Sequence, residues 1–158
     1  MTATSILVGE ALGAKDLARL KLVRSTTHCV VLMASFPMLL ALYFFRNEIA
    51  VAYSIDGDTK TLWLQICVCI LLLKLLDDIA QAGQGFLLGL ERTRVVFLGR
   101  FIGLWVVAMP AGYALSAHYS LSGYWIGWIM GTALTLIWFL QTGSTYVKNQ
   151  KPKLVVEE

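Results

Sequence analysis

The stretch that most constrains the fold of this chain is residues 71–90, LLLKLLDDIAQAGQGFLLGL. Leucines flank it on both sides, as in a helix that crosses a membrane, yet polar side chains interrupt it. These are Lys74, Asp77, Asp78, Gln81 and Gln84. A carboxylate at bilayer depth costs at least about 2.5 kcal/mol, so such residues usually face a protein interior or a water-filled cavity. The stretch therefore predicts a membrane helix that carries a candidate functional site.

Helical spacing predicts that these polar residues share one side of the helix. Lys74, Asp77, Asp78 and Gln81 stand at positions i, i+3, i+4 and i+7, and Gln84 continues their face. We interpret Asp77 and Asp78 as candidates for binding a cation or a proton, and the two glutamines as cavity-lining candidates. In the competing, structural interpretation, Lys74 and one aspartate pair only to hide both charges.

Composition indicates a membrane protein. Hydrophobic residues make up 58% of the 158 residues, charged residues make up 15%, and the mean hydropathy is +0.69. Several apolar runs exceed the ~18 residues that a transmembrane helix needs, and a helix satisfies its own backbone in lipid. The formal charge of +3 does not indicate nucleic-acid binding, because the basic residues fall at helix ends, where they set orientation.

The apolar runs predict an all-α integral membrane bundle of four complete transmembrane helices and the end of a fifth. The predicted elements are a half-helix at 1–13 and spans at about 25–45, 61–90, 95–117 and 123–146. Pro37 and Pro110 lie inside the first and third spans, where a proline bends a helix. Asp16 is a candidate N-cap within a basic link that ends at residue 24. Residues 147–158 form a polar tail that we expect to be disordered.

The basic residues divide unequally between the two ends of these spans. Two of them, Arg46 and Lys60, lie on one side and ten on the other. The ten are Lys15, Arg19, Lys21, Arg24, Arg92, Arg94, Arg100, Lys148, Lys151 and Lys153. Because cytoplasmic segments are enriched in Lys and Arg, this excess predicts that the C-terminus is cytoplasmic. Arg100, near the start of the third span, is expected to extend towards the basic side.

The sequence gives no indication of an enzyme or of a bound cofactor. No nucleophile–base pair or metal-ligand cluster stands out. Cys29, Cys67 and Cys69 lie in apolar runs without metal-ligand spacing, so we expect them to serve in packing.

Five segments, in order along the chain, resemble the multidrug and toxic compound extrusion (MATE) transporters. They are VGEALGAKD at 8–16, RNEIAVAYSIDGD at 46–58, DDIAQAGQGFLLGLERTR at 77–94, MPAGYAL at 109–115 and GYWIGWIMG at 123–131. The last two resemble the final helices of the bacterial NorM-like branch. Each motif is weak alone, but the ordered set is specific and covers nearly the whole chain.

This resemblance implies a fold and an activity. MATE transporters have twelve helices in two six-helix lobes, and they export cationic, amphipathic drugs and dyes in exchange for Na⁺ or H⁺ by alternating access. The chain is similar to the C-terminal part of the second lobe, which implies the inner membrane and a first lobe supplied by the same or a separate chain. The family's cation-binding aspartate falls on Asp77, which implies that the coupling ion, Na⁺ or H⁺, binds at that residue and that Na⁺ is the one metal ion to consider there. Leu73 replaces the family's tyrosine one turn earlier, and Lys74 is a candidate counter-ion of Asp77.

Two other interpretations remain open. The chain could be a complete four-helix protein that acts as a homo-oligomeric small multidrug transporter, a class that also has four spans and a membrane carboxylate. It could also be a truncated lobe that does not transport, because a lobe without its partner encloses no substrate path.

Overall fold

The computed structural model describes residues 2–155, and within that range every regular element is helical. The elements are α1 (Thr2–Gly13), α2 (Leu17–Phe44), α3 (Arg46–Ala52), α4 (Gly57–Gly89), α5 (Thr93–Phe101), a π-helical segment (Ile102–Ala108) and α6 (Met109–Val155). The all-α prediction is thus confirmed for the described part of the chain. Two helical stretches, Leu17–Phe44 and Thr93–Lys148, are long and apolar enough to cross a membrane.

The second of these stretches is folded back on itself. Ser120 has φ 51° and ψ −137°, outside the helical region, and it divides α6 into two parts. The chain up to residue 119 and the chain after residue 121 form antiparallel legs in close contact. A Cβ atom built on Gly127 would overlap the backbone of Gly112, so the legs meet backbone to backbone. Gly127 and Gly131 form a GxxxG pair, and the small size of glycine allows such close packing.

Helix α4 is the axis of the bundle, and the other helices pack around it. Its 33 residues span about 50 Å, which exceeds the ~30 Å of a bilayer's hydrocarbon core. Its C-terminal half holds the core, in which side chains from α1, the start of α2, α4 and α6 are buried together. The most completely buried of these are Val8, Leu20, Phe86, Leu87 and Phe139.

Helix α2 is packed on one side only. None of the residues in its most apolar stretch is buried, and large side chains such as Met33, Phe36 and Phe44 are exposed. An exposed apolar face of this size is typical of a surface that lipid or another protein segment covers.

Two sequence predictions about local structure need correction. Residues 17–24, predicted as a basic link, are the first turns of α2, because the Asp16 carboxylate caps the helix by accepting a hydrogen bond from the Arg19 N–H at 2.9 Å. The cap itself was predicted. The tail is not irregular throughout, since α6 continues to Val155, while residues 156–158 of that predicted tail lie outside the described residues.

Pro37 and Pro110 both lie in helices, as predicted. Pro37 is inside α2 and does not end it. Pro110 lies two residues after the π-helical segment, which is capped by Met109, whose N–H donates to Leu104 O, five residues back. Because proline has no N–H, the regular hydrogen-bond ladder is interrupted at the same place.

Candidate functional site

The carboxylate of Asp77 is the centre of a hydrogen-bonded network between α4 and α5. Its Oδ1 accepts from Arg100 Nη1 at 2.8 Å, and its Oδ2 accepts from Gln81 Nε2 at 2.7 Å. Arg100 also donates from Nε to Gln84 Oε1 at 3.1 Å. The Asp77 and Arg100 side chains are 30% and 35% exposed, so the pair is half-buried rather than sealed.

Asp78 has a different set of partners. It pairs with Lys74, one turn earlier on α4, and it accepts a hydrogen bond from Ser35 Oγ of α2 at 2.7 Å. Its side chain is 14% exposed, against 49% for Lys74. Consecutive residues of a helix point about 100° apart, so the two carboxylates face different neighbouring helices.

The single polar stripe that the sequence predicted is therefore two sites. Lys74 pairs with Asp78, which matches the structural interpretation for those two residues, and the counter-ion in contact with Asp77 is Arg100. The expectation that Arg100 extends to the basic end was wrong, because its guanidinium instead binds Asp77 and Gln84. The sequence does contain a sign of this pairing, because an arginine inside an apolar span needs a partner at that depth.

A cavity of about 320 Å³ opens beside the Asp77–Arg100 pair. Lys74 also lines it, and the rest of its wall is mainly apolar. The remaining lining residues are Ile70, Leu73, Gly103, Leu104, Ala108, Trp128, Gly131, Thr132 and Thr135. The indole Nε1 of Trp128 is buried without a hydrogen-bond partner. Gln81 and Gln84, predicted to line a cavity, hold Asp77 and Arg100 and are not part of this wall.

Glycines bring the π-helical segment against the second leg of α6 and so form one wall of the cavity. A Cβ atom on Gly103 would overlap Thr135 Oγ1, and one on Gly131 would overlap Gly103 O. The Thr135 hydroxyl lies 2.9 Å from Gly131 O, to which it donates. π-helical turns occur frequently at functional sites, and here the turn places Gly103 and Leu104 on the cavity.

The chemistry available in the cavity is electrostatic. Its wall carries one carboxylate, Asp77, and two cationic side chains, Lys74 and Arg100, with the hydroxyl of Thr132 nearby. Among the described residues there is no group of three His, Cys, Asp or Glu that could hold a metal ion. A cation bound here would therefore interact with one carboxylate and with neutral oxygens.

Comparison with known proteins gives one family and many relatives. The MatE family model matches residues 1–114. The chain is 31% identical over 157 residues to the multidrug resistance protein MdtK of Proteus mirabilis (strain HI4320), an alignment that covers 92% of this chain and 34% of that protein. It is 35% identical over 136 residues to the probable multidrug resistance protein NorM of Bacillus subtilis (strain 168), covering 83% of this chain and 29% of the relative. The chain thus spans about a third of the length of the curated relatives it matches.

Proposed function

The chain belongs to the MatE family, and on that premise we propose that it is part of a membrane transporter that exports cationic, amphipathic drugs and dyes in exchange for Na⁺ or H⁺. The relatives described above are named as multidrug resistance proteins, which supports a transport role rather than catalysis. In this proposal the chain supplies four complete transmembrane helices and the end of a fifth, as the C-terminal part of the second lobe. The first lobe comes from the same or a separate chain.

The observation that carries the proposal is the position of Asp77. Its carboxylate lines a cavity between helices whose outer surfaces are apolar, and it is within reach of whatever enters that cavity. A carboxylate inside a membrane helix is energetically costly. Ionisable residues are therefore rare there, and those that occur usually mark ion or substrate pathways. Asp78 remains a second predicted cation-binding carboxylate, held against α2 by Ser35.

The proposed mechanism is competition for one negative charge. Either a coupling cation or a proton neutralises Asp77, and a cationic drug competes for the same carboxylate. Neutralisation weakens the contact between Asp77 and Arg100, the ion pair that joins α4 to α5. The changed packing of these helices then shifts the equilibrium between inward-open and outward-open states. This requires that the cation bind the two states with different affinities, because a ligand shifts such an equilibrium only in that way.

We place the protein in the cytoplasmic (inner) membrane, with its C-terminus in the cytoplasm. The basic residues support this orientation. Arg24 donates to Leu140 O at 3.2 Å, and Arg92 lies over the ring of Tyr146, so these arginines share one end of the bundle. Arg46 begins α3, and its carbonyl accepts from Trp63 Nε1 near the start of α4 at 3.0 Å, so it lies at the other end.

The experiment that tests the proposal is Asp77→Asn in the complete transporter, expressed in cells that lack other drug exporters. We expect efflux of a cationic dye driven by a Na⁺ or pH gradient to be abolished, because the exchangeable charge is gone. Asp58→Asn is the matched control, since Asp58 is an exposed carboxylate in the first turn of the same helix. Wild-type dye efflux and drug resistance in the Asp77→Asn variant would refute the proposal.

A further inference from the structure

We propose that Arg100 is a tethered cation that occupies Asp77, so that an entering cation has to displace it. Arg100 would then set the affinity of the site for external cations. This inference rests on the proposed function, because it concerns the same carboxylate, but it goes further by making Arg100 a competitor for Asp77 and by adding an exchange step.

Asp77 is already paired with a positive charge in the described structure. Arg100 Nη1 lies 2.8 Å from Asp77 Oδ1, and Gln81 Nε2 lies 2.7 Å from Oδ2, so each carboxylate oxygen has a donor. A guanidinium stays protonated in proteins and presents its donors in a fixed planar fork. An external Na⁺ or organic ammonium that binds Asp77 therefore replaces a resident positive charge.

Lys74 is the contact partner of Asp78 rather than of Asp77. It lines the same cavity, but its ammonium pairs with Asp78, whose other carboxylate oxygen accepts from Ser35. Each aspartate thus has its own basic partner, and only the Asp77 pair joins two helices. The chain in this way offers a matched comparison between two neighbouring carboxylates.

An Arg100 side chain that is displaced from Asp77 keeps other contacts. Its Nε donates to Gln84 Oε1 at 3.1 Å, and its guanidinium carbon lies 6.0 Å from the centre of the Phe139 ring. A cation near an aromatic face is stabilised by the ring's quadrupole. Arg100 can therefore leave Asp77 by a small rotation without losing every partner, and it can return to expel the bound cation.

The position of Arg100 also connects the exchange to the cavity wall. Arg100 lies in the last turn of α5, two residues before the π-helical segment begins at Ile102. Gly103 and Leu104 of that segment line the cavity together with Asp77. A movement of Arg100 therefore acts directly beside the π-helical segment, where the hydrogen bonding of this leg departs from the α-helical pattern.

The test uses N,N′-dicyclohexylcarbodiimide, an apolar reagent that modifies protonated carboxyl groups, on the 158-residue chain in detergent. Peptide mass spectrometry measures modification of Asp77 and Asp78 separately. We expect Arg100→Gln to speed modification of Asp77 at least about tenfold, the lower value for losing a hydrogen bond to a charged group. Lys74→Gln should speed modification of Asp78 and change that of Asp77 much less than Arg100→Gln does, because Lys74 contacts Asp78 and acts on Asp77 only through space. Arg94→Gln, which removes an exposed charge from the same helix, is the control.

A second variant tests the inference independently in case Arg100→Gln does not fold. Gln84→Glu keeps Arg100 and offers it another carboxylate, so it should also expose Asp77 to the reagent. An unchanged rate at Asp77 in a folded Arg100→Gln or Gln84→Glu variant would overturn the inference. So would a rate at Asp77 that is as fast in Lys74→Gln as in Arg100→Gln.

The exchange step is tested by protection with Na⁺ and, separately, with tetraphenylphosphonium. We expect either cation to protect Asp77 of Arg100→Gln at a concentration at least about tenfold lower than in the wild type, because the resident competitor is absent. Equal protection in both proteins would overturn the exchange step and leave the proposed function standing. If these cations protected Asp77 in no variant, the result would count against both the exchange step and the proposed function. The modification rates would still show whether Arg100 or Lys74 pairs with Asp77.

Discussion

The two ends of the bundle are built differently. The region formed by residues 5–24, 83–96 and 139–147 is called the closed end. The region formed by residues 36–67 is called the open end. At the closed end, helices far apart in sequence bury one another's side chains, among them Val8, Phe86 and Phe139. At the open end the contacts are between neighbours in the chain, α2, α3 and α4.

The open end leaves much apolar surface uncovered. Phe36, Phe44 and Tyr53 are 58%, 69% and 77% exposed, and a cavity of about 740 Å³ lies between α2, α3 and α4. Packing energy in this chain is therefore concentrated at the closed end. Under the proposed function, lipid and the rest of the transporter cover the open end, and the following predictions test whether the contrast holds.

The largest effect is expected from Phe86→Ala at the closed end. Phe86 is 2% exposed and packs near Gly143 and under the Arg24 guanidinium. Its truncation leaves a cavity, so we expect the free energy of unfolding to fall by roughly 3 kcal/mol. Phe36→Ala on the open end makes the same chemical change at an exposed position and should shift stability by no more than about 0.5 kcal/mol. Thermal unfolding in detergent measures both, and equal losses would contradict the contrast.

A smaller effect is expected from Gly89→Ala, which probes how closely α1 and α4 approach. A Cβ atom on Gly89 would meet Val8 Cβ at 2.6 Å and Ser5 O at 2.7 Å, so the two helices would have to separate. We expect a destabilisation of about 1–3 kcal/mol, the usual penalty for overpacking.

Gly9→Ala is the matched control for this glycine. Gly9 lies on the same α1 helix, and a Cβ atom there would meet nothing within 4 Å. Alanine should be neutral or stabilise the helix by about 0.5–1 kcal/mol, because it restricts the unfolded chain more than glycine does. If both variants lost stability equally, α1 would not be docked through Gly89.

Local features of this fold could be predicted from the sequence. The Asp16 cap follows from the preference of aspartate for the first helical N–H groups, and the close approach at Gly127 follows from its small size. The start of α2 at Leu17 was missed because basic residues were interpreted as a link, although lysine and arginine are good helix formers.

The pairing at the candidate site could be predicted only in part. Lys74 and Asp78 are four residues apart, so their contact is a local one. Asp77 and Arg100 are 23 residues apart on different helices, and their contact depends on the hairpin between α4 and α5. A hairpin centred on residue 91 puts Arg100 about level with residue 82, within reach of Gln84. Pro110 marks the place where the regular hydrogen-bond ladder of the third span is interrupted, but the sequence does not show that the interruption is a π-helical segment packed through Gly103.

The smallest effect is expected from Trp63→Phe at the open end. The indole N–H of Trp63 donates to Arg46 O at 3.0 Å and so ties the start of α3 to α4. Phenylalanine keeps most of the ring but cannot donate, so we expect a global loss of about 1 kcal/mol or less. The local effect should be larger than the global one, since α3 has seven residues and few other partners. Hydrogen exchange of the α3 amides should therefore accelerate in this variant while exchange around Phe86 is unchanged; acceleration at both ends would mean that the bundle opens as one unit.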